Sequence, residues 1–473
     1  MSKRVVPQRF FEYKALFEGA MAQMEQAPAL EGLLKIQYDN FALCLKHVNR
    51  IIQTVENDEP LVSEWYGNSC EIYAAMDLTH YCPVDLLFPT QPFFDTVQRM
   101  HEESNTPSDS CGLIQFGVWG ARAGLFPVPT VICAMTEPCD AQSIMHEAWE
   151  TVPGWENIPA IALDVPYGYG DEDIRYYAKQ LEREIAFLEK HTGHKMDWDE
   201  LRRICEETNK INAYWDDLNH VLMQKPCVFP SLQSGELGWA QSLHINWPGD
   251  PEATEFFKTM AETAADLYEK GQGIVPEERV RILWADLNGS WPGQILGPWL
   301  EQTYGAVMVN SFQGRTPYSM IDTSTPETML FGLARKGINE VPMIRQARGT
   351  VDTFCQDIRD MVRDYQIDCV IFPNHKGHKD QGGNIGYLKE VCREIGGSRR
   401  QAEIRFREIA GRSIGEEIRD VRIARAKALL ARRTTQIEAI FAQCGYADSS
   451  SLRRAFKAAT GLSPRKYRAG LRR

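Results

Sequence analysis

At 473 residues the chain exceeds one ordinary domain, and length alone points to about three. A composition of 43% hydrophobic and 25% charged residues argues against a disordered or fibrous protein. No run approaches the roughly 18 apolar residues of a membrane span, and the start Met1-Ser2-Lys3-Arg4 lacks the apolar stretch of a signal peptide. The 12 cysteines are scattered, which argues against a disulfide scaffold and for thiols or metal ligands in a cytoplasmic protein. The net charge of −12 is unevenly placed: Ser398–Arg473 carries 19 Lys+Arg against 7 Asp+Glu, and the rest of the chain 33 against 57. A basic module on an acidic body is expected where one part alone meets polyanions.

Residues 1–60 carry apolar side chains at helical spacing, among them Phe10, Tyr13 and Phe17. Between 61 and 165, short apolar runs alternate with helical stretches. Thr130–Met135 and Ala160–Leu163 are predicted as buried strands, and strands separated by helices predict a parallel sheet. Ligand sites in such sheets lie beyond the carboxyl ends of the strands. Cys139, in Thr136-Glu137-Pro138-Cys139-Asp140, falls just past one such end, and Cys111 follows a polar loop. Either serves as a metal ligand or as a small apolar residue.

An amphipathic helix is predicted over 173–195, with Ile174, Tyr177, Leu181 and Leu188 on one face; His191 and His194 lie at its C-terminal end, near Gly193. Gly273–Pro276 reads as a linker. A second α/β unit follows, with strands at Val280–Ala285, Ala306–Val309 and Cys369–Phe372 and helices at Gln294–Tyr304 and 351–365. Its loop Asn288-Gly289-Ser290 is a weak phosphate-binding signal, and neither a Walker sequence nor GxGxxG is present. Asp368–Arg400 is the seam. Within it Tyr387–Gly396 reads either as the helix after the last strand or as the lead helix of a helix-turn-helix, with Ser398 capping the next helix. The expected architecture is an α/β body of two Rossmann-like parallel-sheet units with helical additions, followed by an all-α double helix-turn-helix domain. The expected boundaries are 1–272, 273–390 and 391–473.

Five stretches in order, SCEIYAAMDL, Cys111 with its following helix, TEPCD, IPAIALDVP and YQIDCVIFPNHKGHK, resemble the 2-hydroxyacyl-CoA dehydratase / benzoyl-CoA reductase family over residues 1–396. The resemblance implies a [4Fe-4S] cluster on three cysteines, with one iron open to an acyl-CoA. It also implies a second dehydratase-type subunit and an ATP-dependent activator as partners. Cys111 and Cys139 match two ligands. Where the third is expected, in a Gly-Cys-Lys context, the chain has Gly377-His378-Lys379, so His378 takes that place. Histidine can ligate iron, and in Rieske centres it raises the potential. Cys369, nearby, is expected in the core. Glu71 matches a catalytic, substrate-side carboxylate. The chain leaves the family pattern at about Gly396, before the ending of the second sheet.

Residues 387–473 resemble the DNA-binding domain of the AraC/XylS family of transcription regulators. The match runs through Ser398–Phe406, Gly411-Arg412-Ser413-Ile414, a linking helix at Ile414–Arg433, Gln436–Tyr446, Asp448–Lys457 and Thr460–Arg468. Gly445 allows the tight turn and Asp448 or Ser449 caps the following helix. Ile418, Val421, Ile423, Ala426, Leu429 and Leu430 are expected on the buried side of the linking helix; Ala439, Ile440, Leu452 and Phe456 are expected in the small core. Arg399, Arg400, Gln401, Ser449, Ser450, Arg453 and Arg454 are placed to reach base edges. Lys457, Arg465, Lys466 and Arg468 are placed to meet phosphates. The leading reading is a sequence-specific regulator of double-stranded DNA carrying a dehydratase-like body. The alternative is an iron–sulfur 2-hydroxyacyl-CoA dehydratase (a lyase) or benzoyl-CoA reductase-type subunit with an appended DNA-binding tail. A reading frame joining two genes is a third.

Overall fold

The computed structural model describes residues 4–64, 67–83, 100, 103, 106–107, 110–137, 140–229, 248–285, 296–311, 314, 318–349, 351–373, 382–394, 399–431, 440, 443–446 and 448–470. It divides into two compact units, Met1–Val391 and Cys392–Arg473.

The first unit opens with α1 (Gln8–Met24) and α2 (Gly32–Glu56). Phe10, Tyr13 and Phe17 bury one stripe of α1 at i, i+3 and i+7. The chain continues through β1 (Leu61–Glu64), α3 (Cys70–Ala75), β2 (Thr79–Tyr81), α4 (Gly112–Arg122), β3 (Val131–Met135), α5 (Asp140–Trp149) and β4 (Ala160–Leu163). These strands form a parallel sheet of order β2-β1-β3-β4. β3 is buried along its whole length, as a central strand covered on both faces must be. Ala160–Leu163, expected to be buried, is an edge strand with Ala160 and Ala162 exposed. Neither Leu61–Glu64 nor Thr79–Tyr81 was marked out by the sequence pattern; four and three residues that mix apolar with polar side chains carry no periodicity.

Three long helices follow: α6 (Asp171–Thr192), α7 (Trp198–Leu222) and α8 (Pro251–Glu269). α6 stops at Gly193, which is left-handed at φ 80°, and His194 Nδ1 lies 2.8 Å from Met76 O. Asp197 caps α7 by accepting from the backbone N–H of Asp199 and Glu200. A second parallel sheet, of order β6-β5-β7, comprises β5 (Val280–Trp284), β6 (Ala306–Ser311) and β7 (Cys369–Ile371). α9 (Gly297–Tyr304) joins β5 to β6. α10 (Pro326–Arg335), a π-helical segment at Lys336–Glu340, α11 (Ile344–Ala347) and α12 (Val351–Asp364) lie between β6 and β7. β7 is an edge strand, so Cys369, expected in the core, is exposed. The Asn288-Gly289-Ser290 loop lies outside the described residues.

Among the described residues of the seam, β7 is followed by a helix, α13 (Ile385–Glu394), with the unit boundary inside it. The described elements of the second unit are helices: α14 (Arg399–Ala410), α15 (Ile414–Ala431), α16 (Ser449–Thr460) and α17 (Pro464–Gly470). Its core gathers Ile423, Ala426, Leu429 and Leu430 of α15, Ile440, and Leu452 and Phe456 of α16. Ile418 and Val421, expected on the buried side, are 46% and 52% exposed. At 100° per residue, Val421 lies on the face opposite Ile423, so both cannot face one small core. Ser398 and Ala439 lie outside the described residues.

Candidate nucleic-acid interface and buried carboxylate site

In the second unit the recognition-type helix is α16. Asp448 precedes it in extended conformation, and its carboxylate accepts from the Ser451 backbone N–H at 2.8 Å. That bond holds the Asp448 carboxyl below the usual aspartate range. Leu452 and Phe456, at i and i+4, bury one face. Ser450, Arg453, Arg454 and Lys457 are exposed, and Ser449 is half-buried. The exposed face of the helix thus presents a hydroxyl, two guanidiniums and an ammonium, donor types suited to base edges and phosphates.

Gly445 sits before α16 at φ +70°, a conformation that L side chains rarely adopt. A Cβ there would also meet Arg422 Nε at 3.3 Å, and Arg422 covers the Tyr446 ring at 5.3 Å. α15 starts with a capping box: the Glu416 backbone N–H donates to Ser413 Oγ, and the Ser413 backbone N–H donates to Glu416 Oε2 at 2.8 Å. Arg465 and Lys466 of α17 are exposed. Arg468 is half-buried and donates from Nε to Leu430 O at 3.1 Å, which ties α17 to the end of α15. In α14 Arg400 is exposed; the side chains of Arg399 and Gln401 lie outside the described residues.

In the first unit Glu71 occupies the first turn of α3 and is 1% exposed. Its Oε1 receives Lys336 Nζ at 2.5 Å and Thr208 Oγ1 at 3.3 Å. Lys336 opens the π-helical segment and Thr208 belongs to α7, so the carboxylate joins three elements. π-helical turns recur at functional sites. Close by in the chain, the Tyr73 hydroxyl donates to Glu184 Oε1 at 2.6 Å. Burial pushes the Glu184 carboxyl up to about 7. Sequence reasoning missed Lys336, Thr208 and Glu184: each is an ordinary helical residue until packing buries it.

Of the three residues expected to hold a cluster, Cys111 precedes α4 and is 3% exposed, within a core that also contains Cys82, Phe116 and Trp119. Cys139 and His378 lie outside the described residues. Among the described residues no helix is long and apolar enough to cross a membrane.

Fold and site together define a two-part class: a parallel-sheet α/β body followed by a helix-turn-helix unit. The family model of the 2-hydroxyglutaryl-CoA dehydratase D-component matches residues 67–401, and the chain belongs to that family. A helix-turn-helix domain model, of AraC type, matches residues 391–470. The alpha subunit of (R)-2-hydroxyglutaryl-CoA dehydratase from Acidaminococcus fermentans is 26% identical over 176 residues, 36% of this chain and 35% of that protein. The HTH-type transcriptional activator RhaR from Klebsiella pneumoniae is 35% identical over 81 residues, 17% of this chain and 29% of that protein. The chain thus spans about a third of the length of the curated relatives it matches. The crystal structure of the transcriptional regulator CdpR from Pseudomonas aeruginosa aligns with a TM-score of 0.19 at 14% identity, over 64% of this chain and 88% of that one.

Proposed function

We propose that this chain is a sequence-specific DNA-binding transcription regulator of AraC/XylS type, acting in the cytoplasm and carrying a dehydratase-related body. The observation that supports this most is the division of α16 into a buried Leu452–Phe456 face and an exposed face bearing Ser450, Arg453, Arg454 and Lys457. α15, 18 residues long, extends about 27 Å at 1.5 Å per residue. That is comparable to the roughly 34 Å between successive major grooves on one face of DNA. α14 and α16 then serve as the two reading helices. The test is selection of bound duplexes from a random-sequence pool by the full chain, followed by affinity measurements at rising salt. Binding that selects no sequence and ignores salt would sink this reading.

A second reading follows from the family membership: an iron–sulfur acyl-CoA dehydratase or reductase-type subunit, with a partner subunit and an ATP-dependent activator. The donor set does not fit a three-thiolate [4Fe-4S] site. By resemblance the set would be Cys111, Cys139 and His378, one thiolate short, and imidazole is a harder donor than thiolate. Iron and sulfide assays on anaerobically purified protein, run beside the DNA-binding assay, separate the two readings. A stoichiometric iron–sulfur spectrum lost in Cys111→Ala and Cys139→Ala would move the enzyme reading ahead.

A further inference from the structure

β1 and β2, with the helix that follows β1, bring three metal-ligating side chains together in the body. Glu64 closes β1, Cys70 opens α3, and His80 is the middle residue of β2. In the parallel register His80 stands beside Val62. Strand alternation puts Glu64 on the same face as Val62, so imidazole and carboxylate emerge together.

The geometry points to a divalent metal site with Glu64, Cys70 and His80 as protein ligands, taking Zn2+ or a similar borderline ion. One ligand atom from each residue lies within 4.8 Å of the other two. His80 Nδ1 is 3.7 Å from Glu64 Oε1 and 3.9 Å from Cys70 Sγ. Tetrahedral zinc, with bonds of about 2.0–2.3 Å, holds its ligand atoms about 3.4–3.6 Å apart. The two edges at His80 therefore need a closure of a few tenths of an ångström, and the Glu64–Cys70 edge, within 4.8 Å, closes by about an ångström at most.

An independent observation concerns Glu64. It is 1% exposed, and neither carboxylate oxygen has a hydrogen-bond partner within normal reach. Buried carboxylates are paired, hydrogen-bonded or bound to a metal, and a cation supplies what this one lacks. The His80 ring is flanked by the rings of Tyr73 and His47, at centroid distances of 5.4 and 5.7 Å. Its side chain is 12% exposed, which gives an ion a route in and leaves the fourth position to water. A mixed sulfur, nitrogen and oxygen set disfavours Mg2+ and Ca2+, which prefer all-oxygen shells.

The test uses the full chain, stripped by chelation and titrated with Co2+ as the spectroscopic probe, then with Zn2+ in competition. We expect one equivalent of Co2+, tetrahedral d–d bands, a thiolate-to-cobalt charge-transfer band, and displacement by Zn2+. Cys70→Ser removes the charge-transfer band, His80→Ala weakens binding about tenfold or more, and substitution of the exposed Cys369, Cys369→Ser, leaves the spectrum unchanged. Absence of the band in the wild-type chain overturns the proposal whatever the variants do. Its persistence in folded Cys70→Ser, or its loss in folded Cys369→Ser, does the same.

Discussion

Lys336 Nζ meets Glu71 Oε1 inside the body, joining residues 265 positions apart. Both side chains are nearly inaccessible, at 5% and 1% exposure. Removing one partner from such a pair leaves an uncompensated buried charge, at about 3–5 kcal/mol. Lys336→Met is therefore expected to lower unfolding stability by that order. Adding Glu71→Gln, which keeps an acceptor for Thr208 but no charge, should recover part of the loss. Urea unfolding of the two single variants and the double variant at pH 7 measures the coupling. Strictly additive losses would mean that the pair does not act as a unit.

Glu184 should make the body less stable as pH rises. Burial raises its carboxyl from the ordinary 4.5 to about 7. Between those values the unfolded chain has shed a proton that the folded chain keeps. Stability due to this group therefore falls across that window, at no more than about 1.4 kcal/mol per pH unit, and levels off above it. Glu184→Gln, which mimics the neutral acid, should flatten this part of the profile and match wild type near pH 4.5. Melting temperatures between pH 4.5 and 8 test this, and identical slopes in both proteins would refute it.

On the DNA side, Arg453→Ala should relax preference at one base position and cost about 1–3 kcal/mol of specific binding. Lys466→Ala should weaken binding to all sequences alike and reduce the salt slope by about one contact. Competition assays with point-mutated duplexes distinguish the two. Uniform loss in both variants would reverse the assigned roles.

Phe456 is fully buried between α15 and α16, with the Tyr467 ring edge-on at 5.3 Å. Phe456→Ala should cost about 3–5 kcal/mol, enough to threaten an 82-residue unit. Hydrogen exchange should show lost protection across α15 and α16 together with lost DNA binding. Arg454→Ala should keep that protection. Normal exchange in Phe456→Ala would mean that the small core does not hold these helices.

For the cluster reading, His378→Cys offers the decisive substitution. We expect little iron or sulfide in the wild-type chain and no rescue by the cysteine, because a ligand must be held in position as well as be of the right type. Recovery of a stoichiometric cluster in His378→Cys would show that ligand chemistry alone is missing.

The helix-turn-helix unit was legible because its determinants are local. Asp448 caps a helix three residues from Ser451, Gly445 turns the chain on its own backbone, and Leu452 and Phe456 face one way at i, i+4. The long strands Val131–Met135 and Val280–Trp284 announced themselves as continuous apolar runs. Packing decided the rest. Ile418 and Val421 have the same apolar character as Ile423, and their helical angle relative to the core left them exposed. β1 and β2 are too short to show a period, yet their parallel register pairs His80 with Val62 and so brings its imidazole within 3.7 Å of Glu64. Glu71 meets Lys336 across 265 residues. Charged side chains tend toward solvent, and nothing local marks those that the tertiary fold will bury and pair.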